Sequence, residues 1–177
     1  MKAVYSTLQI HHAKAAPFKD LIQDLLRTPE VLGLDQYDQH LNTSRLQHSL
    51  NVAYYAYLIS KNMRVNHKDL VRGAFLHDLF LYDWREVNTS AKEHIVLHPQ
   101  VALENARKIT EVSSVMEDVI VNHMWPLGKA KPQTKEAWIV QASDKLCTLF
   151  EVSHQSFQAL KQPQLAGMML SLLFILR

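Results

Sequence analysis

Cysteine, glycine and proline are scarce in this chain, which has 1, 4 and 6 of them respectively among 177 residues. The single cysteine, Cys147, excludes an intrachain disulfide and a cluster of thiolate metal ligands. Few glycines and prolines leave long stretches uninterrupted, and runs of valine, isoleucine and threonine with two-residue alternation are missing as well. Because apolar residues instead recur mostly at helical spacing, the sequence predicts an all-α fold, a single-domain helical bundle.

Strong net charge and long apolar runs are also missing. The formal charge is +2, with lysine and arginine scattered, so we expect no nucleic acid polymer as a partner. The apolar stretch 165–176 has 12 residues, whereas a membrane-spanning helix needs roughly 20. We therefore predict no membrane partner and a C-terminal helix packed on the core or on another subunit, with membrane attachment as the less favoured alternative. The N-terminus lacks the apolar stretch of a secretion signal, which favours a cytoplasmic location, and a homo-oligomer remains open.

Capping residues and prolines mark where the helices are expected to begin and end. The middle of the second helix, LNVAYYAYLI, is apolar nearly all round, so this helix should lie at the centre of the fold. Residues 28–42 and 82–94 are expected to form connecting segments. The first predicted helix covers 15–27, the second covers 44–62 and follows an Asn-Thr-Ser cluster, and the third is capped by Asn66. The fourth begins at Pro99, with His98 as its cap. The fifth is capped by Ser113 or Ser114 and ends near 125–126, and the sixth runs from Thr134 to about 150.

Six polar residues stand in apolar segments or at helix ends, and five separate segments supply them. A buried carboxylate needs an ion pair, hydrogen bonds or a metal, because burying it alone is costly. Taken singly, a histidine here is more often a hydrogen-bonded core residue, and an aspartate can simply pair with a cation. The ordered set indicates one metal centre, since imidazole and carboxylate suit zinc, iron and manganese and helix bundles assemble such ligands from several helices. The six residues are His48, His77, Asp78, His98, His123 and Asp144.

The order of these residues resembles that of the HD-domain superfamily of metal-dependent phosphohydrolases, over roughly residues 44–151. The resemblance implies that His48, the His77-Asp78 pair and Asp144 bind one ion on a helical scaffold. His98 and His123 look like the two additional histidines of the binuclear subset, which hold a second ion bridged by the Asp of the pair. The expected cofactor is therefore one or two divalent ions, with iron, manganese, zinc and nickel not distinguished. One such domain is expected over 1–177, with flanking helices in 1–43 and 152–177.

The resemblance leaves the substrate open. Cyclic-dinucleotide phosphodiesterases of the superfamily carry a double histidine and a Gly-Tyr-Pro signature, but here His123 is followed by MWPLGKAKP. The longer signatures of the large deoxynucleotide triphosphohydrolases and of the bifunctional alarmone enzymes are also missing. We expect a small phosphorylated substrate, a nucleotide or another metabolite, whose phosphoester or phosphoanhydride is attacked by metal-activated hydroxide. The alternatives are a di-iron oxygenase of the superfamily and a non-catalytic domain that senses nucleotides.

Three residues form the predicted catalytic group: Asp78, Arg45 and Lys145. Asp78 is the candidate bridge between two ions, and Arg45 precedes His48 by three residues, on the same helical stripe. Lys145 directly follows Asp144 and is expected to offset charge that develops on a phosphate. Both cations also have a structural interpretation: Arg45 as a solvated residue in the first turn of its helix, and Lys145 as the salt-bridge partner of a carboxylate.

Other residues near the motif are weaker candidates for roles in the site. Arg72 lies more than one turn before His77 and is a poorer phosphate ligand, and His94 could serve as a leaving-group acid or a substitute ligand. Tyr82, Asp83 and Trp84 follow the His-Asp pair and are expected to form part of the pocket wall.

Overall fold

The computed structural model describes residues 16–40, 43–87 and 89–160, and this part of the chain is predominantly helical. Two single turns of 3-10 helix, Leu25–Arg27 and Leu34–Gln36, and a two-stranded antiparallel sheet interrupt the helical pattern near the N-terminus. The all-α prediction is confirmed, because this sheet is the only other regular element in the described ranges. The helices are α1 (Ala16–Ile22), α2 (Pro29–Gly33), α3 (Arg45–Ser60), α4 (His67–Leu76), α5 (Ala91–Ile109), α6 (Ser114–Asn122) and α7 (Lys135–Leu160), and the strands are β1 (Asp38–His40) and β2 (Thr43–Ser44).

Four helices begin at the capping residues that the sequence indicates. In each case a side-chain oxygen accepts a hydrogen bond from a backbone N–H three residues later, which satisfies a donor that the helix itself leaves unpaired. The caps are Ser44 for α3, Asn66 for α4, Ser113 for α6 and Thr134 for α7.

The predicted start of the fourth helix at Pro99 is wrong. Helix α5 begins at Ala91, and Pro99 lies inside it. Ser90 and Glu93 form a capping box, in which each side chain accepts a hydrogen bond from the other residue's backbone N–H, and this outweighs the signal of the proline. The proline gives up one backbone hydrogen bond but does not end the helix. His98 is therefore an interior helical residue and not a cap.

The N-terminal segment is more broken than predicted. The expected helix 15–27 ends at Ile22 and continues as the 3-10 turn, while the expected connecting stretch 28–42 contains α2, a second 3-10 turn and β1. Phe18 and Ile22 of α1 are fully buried, and Phe18 packs edge-on against Tyr54 of α3. The N-terminal elements thus cover one side of the central helix.

Helix α3 lies at the centre of the fold, as its apolar sequence predicts. It packs against both α4 and α7, and its Val52, Ala53 and Ala56 are fully buried. Helix α4 packs in turn on α6, where Gly73 faces Val119. The core therefore holds the C-terminal ends of α4 and α6 close to the N-terminal half of α3.

Just past its middle, α7 exposes two apolar side chains: Leu149 and Phe150 keep 62% and 60% of their surface accessible. The apolar segment 165–176 lies outside the described residues, and its packing stays a prediction. None of the helices in the described ranges combines the length and the apolar character needed to cross a bilayer.

Candidate metal centre

Three of the six predicted ligands are histidines whose rings are oriented by the backbone of their own helix. In each ring Nδ1–H donates to a carbonyl three or four residues earlier, so that Nε2 is left to point into the protein. His77 and His123 follow the last residues of α4 and α6 and use carbonyls of the final turn. The bonds are His77 Nδ1 to Ala74 O at 2.7 Å, His98 Nδ1 to His94 O at 2.8 Å and His123 Nδ1 to Ile120 O at 2.7 Å.

A first group of ligand atoms comes from His48, His77 and Asp78, whose candidate atoms all lie within 4.8 Å of one another. Asp144 joins this group: its Oδ1 is 3.1 Å from His48 Nε2 and 3.9 Å from His77 Nε2. The structure therefore brings together the four residues of the core motif, from α3, from the end of α4 and from α7.

A second group of ligand atoms shares Asp78 with the first. The candidate atoms of Asp78, His98 and His123 also lie within 4.8 Å of one another. Asp78 Oδ1 is 3.3 Å from His98 Nε2 and 3.5 Å from His123 Nε2. All six residues predicted from the sequence thus converge on one buried centre, with the Asp78 carboxylate between two sets of imidazoles.

The hydrogen bonding of this centre is incomplete without a cation. His77 Nε2 and Asp78 Oδ1 are buried and have no hydrogen-bond partner among the described residues. His98 Nε2 and His123 Nε2 face each other at 3.1 Å. Because both rings already carry a proton on Nδ1, their neutral forms would set two lone pairs against each other. The donor set, four imidazole nitrogens and two carboxylates, therefore fits one or two divalent ions.

Burial and close charges shift the pKa values of the ligands in opposite directions. Burial lowers the pKa of His77 to about 4, so this ring is neutral near pH 7. Burial also opposes the charge on Asp78, but His77 and the imidazoles of His123 and His98 hold the pKa of Asp78 well below its usual range. Burial opposes the charged form of His48 too, yet its hydrogen bonds to Asp144 and Glu151 raise its pKa to about 10. A metal ion at His48 must therefore replace a proton.

Sequence reasoning missed three residues that support the ligands. Glu151 Oε2 accepts a hydrogen bond of 2.9 Å from His48 Nδ1, and Asn51 Nδ2 donates to Glu151 Oε1 at 2.9 Å. Gln39 of β1 donates to Asp78 Oδ2 through its side-chain amide. Glu151 follows Asp144 by seven residues, two helical turns, and this spacing could have indicated it. Nothing in the connecting stretch 28–42 marks Gln39 in the same way.

The two predicted catalytic cations have different surroundings. Arg45 is only 1% exposed, and its guanidinium donates to Phe80 O at 2.6 Å and to Gln39 Oε1 at 3.0 Å. It also lies over the Phe80 ring, 3.5 Å from the centroid. These contacts favour a role in fixing the segment after Asp78 over the contact with substrate that the sequence suggested.

Lys145 remains next to the centre, with a side chain that is partly open to solvent. Its Nζ donates to Asp144 Oδ2 at 2.9 Å and to His123 O at 3.1 Å. Since 38% of the side chain is accessible, the ammonium group can approach a ligand that enters beside Asp144.

Of the weaker candidates, Arg72 has a structural role, whereas His94 and Trp84 lie beside the centre. Arg72 forms a two-pronged ion pair with Asp24, 2.8 and 2.9 Å long, and so ties α4 to the segment after α1. His94 is stacked between Trp84 and His98, at centroid distances of 5.2 and 4.6 Å. Trp84 thus belongs to a column of rings that ends at a predicted ligand, as expected of a residue in the wall of the site.

The comparisons with known proteins agree with this geometry. The HD domain family matches residues 45–149, which is more than half of the chain and includes all six residues of the centre. The chain belongs to the HD-domain family. The paired groups around Asp78 are the part of this HD domain that fits a metal ion.

The HD domain also has relatives among ribonucleases Y. It is 29% identical over 119 residues to Ribonuclease Y of Desulforudis audaxviator, which covers 66% of this chain and 21% of the relative. It is 31% identical over 121 residues to Ribonuclease Y of Geobacter metallireducens, covering 67% of this chain and 21% of that protein. The chain therefore spans about a fifth of the length of the curated relatives that it matches. No solved structure matches it significantly.

Proposed function

We propose that the chain is a phosphohydrolase with two metal sites, which cleaves a phosphoester or phosphoanhydride of a nucleotide or a small phosphorylated metabolite. The observation that carries the proposal is the sharing of Asp78 between two groups of ligand atoms that each fit within 4.8 Å. In this assignment His48, His77, Asp78 and Asp144 hold one ion, while Asp78, His98 and His123 hold the other. When bound, such ions supply an acidified water and positive charge against phosphate oxygens.

The protein's own residues would then orient the centre and its substrate. Arg45 fixes the segment that follows Asp78 through the carbonyls of Phe80 and Tyr82, 2.6 and 3.3 Å away. Lys145, held beside Asp144, is placed to contact a phosphate oxygen and to offset the charge that develops there. Asp78 is fully surrounded by ligand atoms, so its part is to hold the centre and not to transfer a proton.

A second candidate substrate is RNA. It is favoured by the relatives, whose name, Ribonuclease Y, describes a nuclease. The phosphodiester of RNA and the phosphoester of a nucleotide need the same electrophile, a phosphorus atom, so the metal centre alone does not separate them. The small net charge of +2 favours the smaller substrate.

The experiment joins metal content with a substrate panel. Wild type and Asp78→Ala are purified without chelator, their bound metals are measured, and both are assayed with manganese, iron, nickel and zinc. The panel holds an aryl phosphate, nucleotides and a short RNA. We expect Asp78→Ala to lose both metal and hydrolysis, whereas Asp20→Ala, an exposed aspartate of α1, keeps both.

Two outcomes would contradict the proposal. If Asp78→Ala retained the metal of wild type, the ligand assignment would be wrong. If metal-loaded wild type cleaved nothing in the panel but consumed oxygen with an organic substrate, a di-iron oxygenase would replace the phosphohydrolase. Cleavage of RNA but not of nucleotides would favour the second substrate.

A further inference from the structure

The four imidazoles of the centre are not supported in the same way. His77, His98 and His123 each donate Nδ1–H to a neutral backbone carbonyl, whereas His48 Nδ1 donates to the Glu151 carboxylate at 2.9 Å. Glu151 is only 9% exposed, and Asn51 holds its other oxygen at 2.9 Å. The carboxylate is thus buried behind a predicted ligand, fixed from two sides.

This difference adds to an unequal distribution of charge between the two groups of ligands. The His48 group contains two carboxylates, Asp144 and the shared Asp78, and has the carboxylate of Glu151 directly behind it. Among the residues that the structure describes, the group of His98 and His123 has one carboxylate within 4.8 Å, that of the shared Asp78. A divalent cation is attracted more strongly to the position with more negative charge, and in a buried site solvent screens this preference little.

We propose that Glu151 is a positioning residue that makes the His48 site the tighter of the two metal sites. A carboxylate that accepts Nδ1–H fixes the tautomer of the ring and makes Nε2 a more basic ligand than a carbonyl partner does. The inference rests on the metal assignment made above and adds an order of loading: the first ion binds at His48 and the second at His98 and His123. Loss of a supporting partner of this kind typically weakens metal binding by about 10- to 100-fold.

The test is a calorimetric titration of chelator-treated protein with Mn²⁺ and, separately, with Zn²⁺. Wild type should bind two ions in two steps of different affinity. Glu151→Gln keeps an oxygen that can accept Nδ1–H but removes the charge, and we expect the tighter step to weaken by about 10-fold or more while the weaker step stays unchanged. Glu104→Gln, an exposed glutamate of α5, is the matched control and should leave both steps unchanged.

A spectroscopic readout separates positioning from a general loss of structure. In protein loaded with one equivalent of Co²⁺, the exchangeable Nδ1 proton of His48 should give a hyperfine-shifted NMR signal that moves in Glu151→Gln. If that variant does not fold, Asn51→Ala serves instead, because it releases the second oxygen of Glu151. A smaller weakening of the same step is then expected.

The inference is overturned if wild type binds in a single step, or if Glu151→Gln weakens both steps equally or neither. It is also overturned if Asn51→Ala, used in its place, leaves the tighter step unchanged. Failure of the proposed function looks different, because metal would bind in two unequal steps, with the tighter one sensitive to Glu151, while no phosphorylated substrate is cleaved.

Discussion

The contact between Gly73 and Val119 allows a sharp prediction about how the scaffold holds the centre. A Cβ at position 73 would lie 2.9 Å from Val119 Cγ1 and 3.0 Å from Val119 Cβ, whereas carbon atoms pack best at about 3.5–4.0 Å. Gly73→Ala therefore forces α4 and α6 apart by about half an ångström or more. These two helices end directly before His77 and His123, whose ring centroids are 4.8 Å apart, so we expect the strain to act on the centre.

The magnitude follows from two opposing effects. Overpacking a core typically costs about 1–3 kcal/mol, while replacing glycine by alanine inside a helix gains about 1 kcal/mol. We expect Gly73→Ala to lower the free energy of unfolding by about 1 kcal/mol, with an upper limit near 2 kcal/mol. Val119→Ala removes the nearer obstacle, Cγ1, but keeps Cβ at 3.0 Å, so in that background the same Gly73→Ala change should cost less than in wild type, by about 0.5–1 kcal/mol.

The assay is urea unfolding of chelator-treated protein, followed by circular dichroism, for wild type, both single variants and the double variant. The midpoint should move while the slope stays constant. The decisive quantity is the difference between the costs of Gly73→Ala in the two backgrounds. If Gly73→Ala cost as much in Val119→Ala as in wild type, contact with the Val119 side chain would not be the reason for the glycine.

Three further predictions concern other parts of the molecule. The pKa of His48 is raised from 6.5 to about 10, so the stability that this histidine adds to chelator-treated protein is complete below pH 6.5 and is lost as the pH rises to about 10. Because a metal ion must replace the proton of His48, the metal affinity measured by calorimetry should rise by about tenfold per pH unit over the same range. Ser90→Ala should cost about 1 kcal/mol in urea unfolding, since the capping box with Glu93 begins α5; an unchanged midpoint would mean that the helix does not depend on it. Arg72→Ala should cost about 2 kcal/mol, because it removes a buried side chain that donates to Leu21 O and Thr110 Oγ1 as well as to Asp24. Asp24→Ala, at an exposed carboxylate, removes only one of these partners and should cost at most about 1 kcal/mol; equal costs would contradict this reading.

The sequence predicts the six residues that converge at the centre better than the residues that support them. Imidazole and carboxylate are conspicuous in apolar helical segments, since each would be costly there without a partner, and all six such residues converge. Glu151 is less conspicuous, because a glutamate in a long helix is normally solvent-exposed. Gln39 depends on how an irregular segment folds over Asp78, which local pattern does not determine.

The fold shows the same division between local signals and tertiary context. Serine, threonine and asparagine caps are local and identify the starts of four helices, as at Ser44 and Asn66. Pro99 is a local signal too, but the capping box at Ser90 and the packing of a long α5 outweigh it. The prediction fails there because one residue's preference was weighed without the longer helix that contains it.

The placement of His77 and His123 directly after the last turns of α4 and α6 has a consequence for how the family can diversify. Their rings are aimed by main-chain carbonyls, so the direction of each lone pair depends on where a helix stops and hardly on which side chains surround it. Substitutions elsewhere can then remodel the surroundings of the centre, while the directions of these two rings stay unchanged.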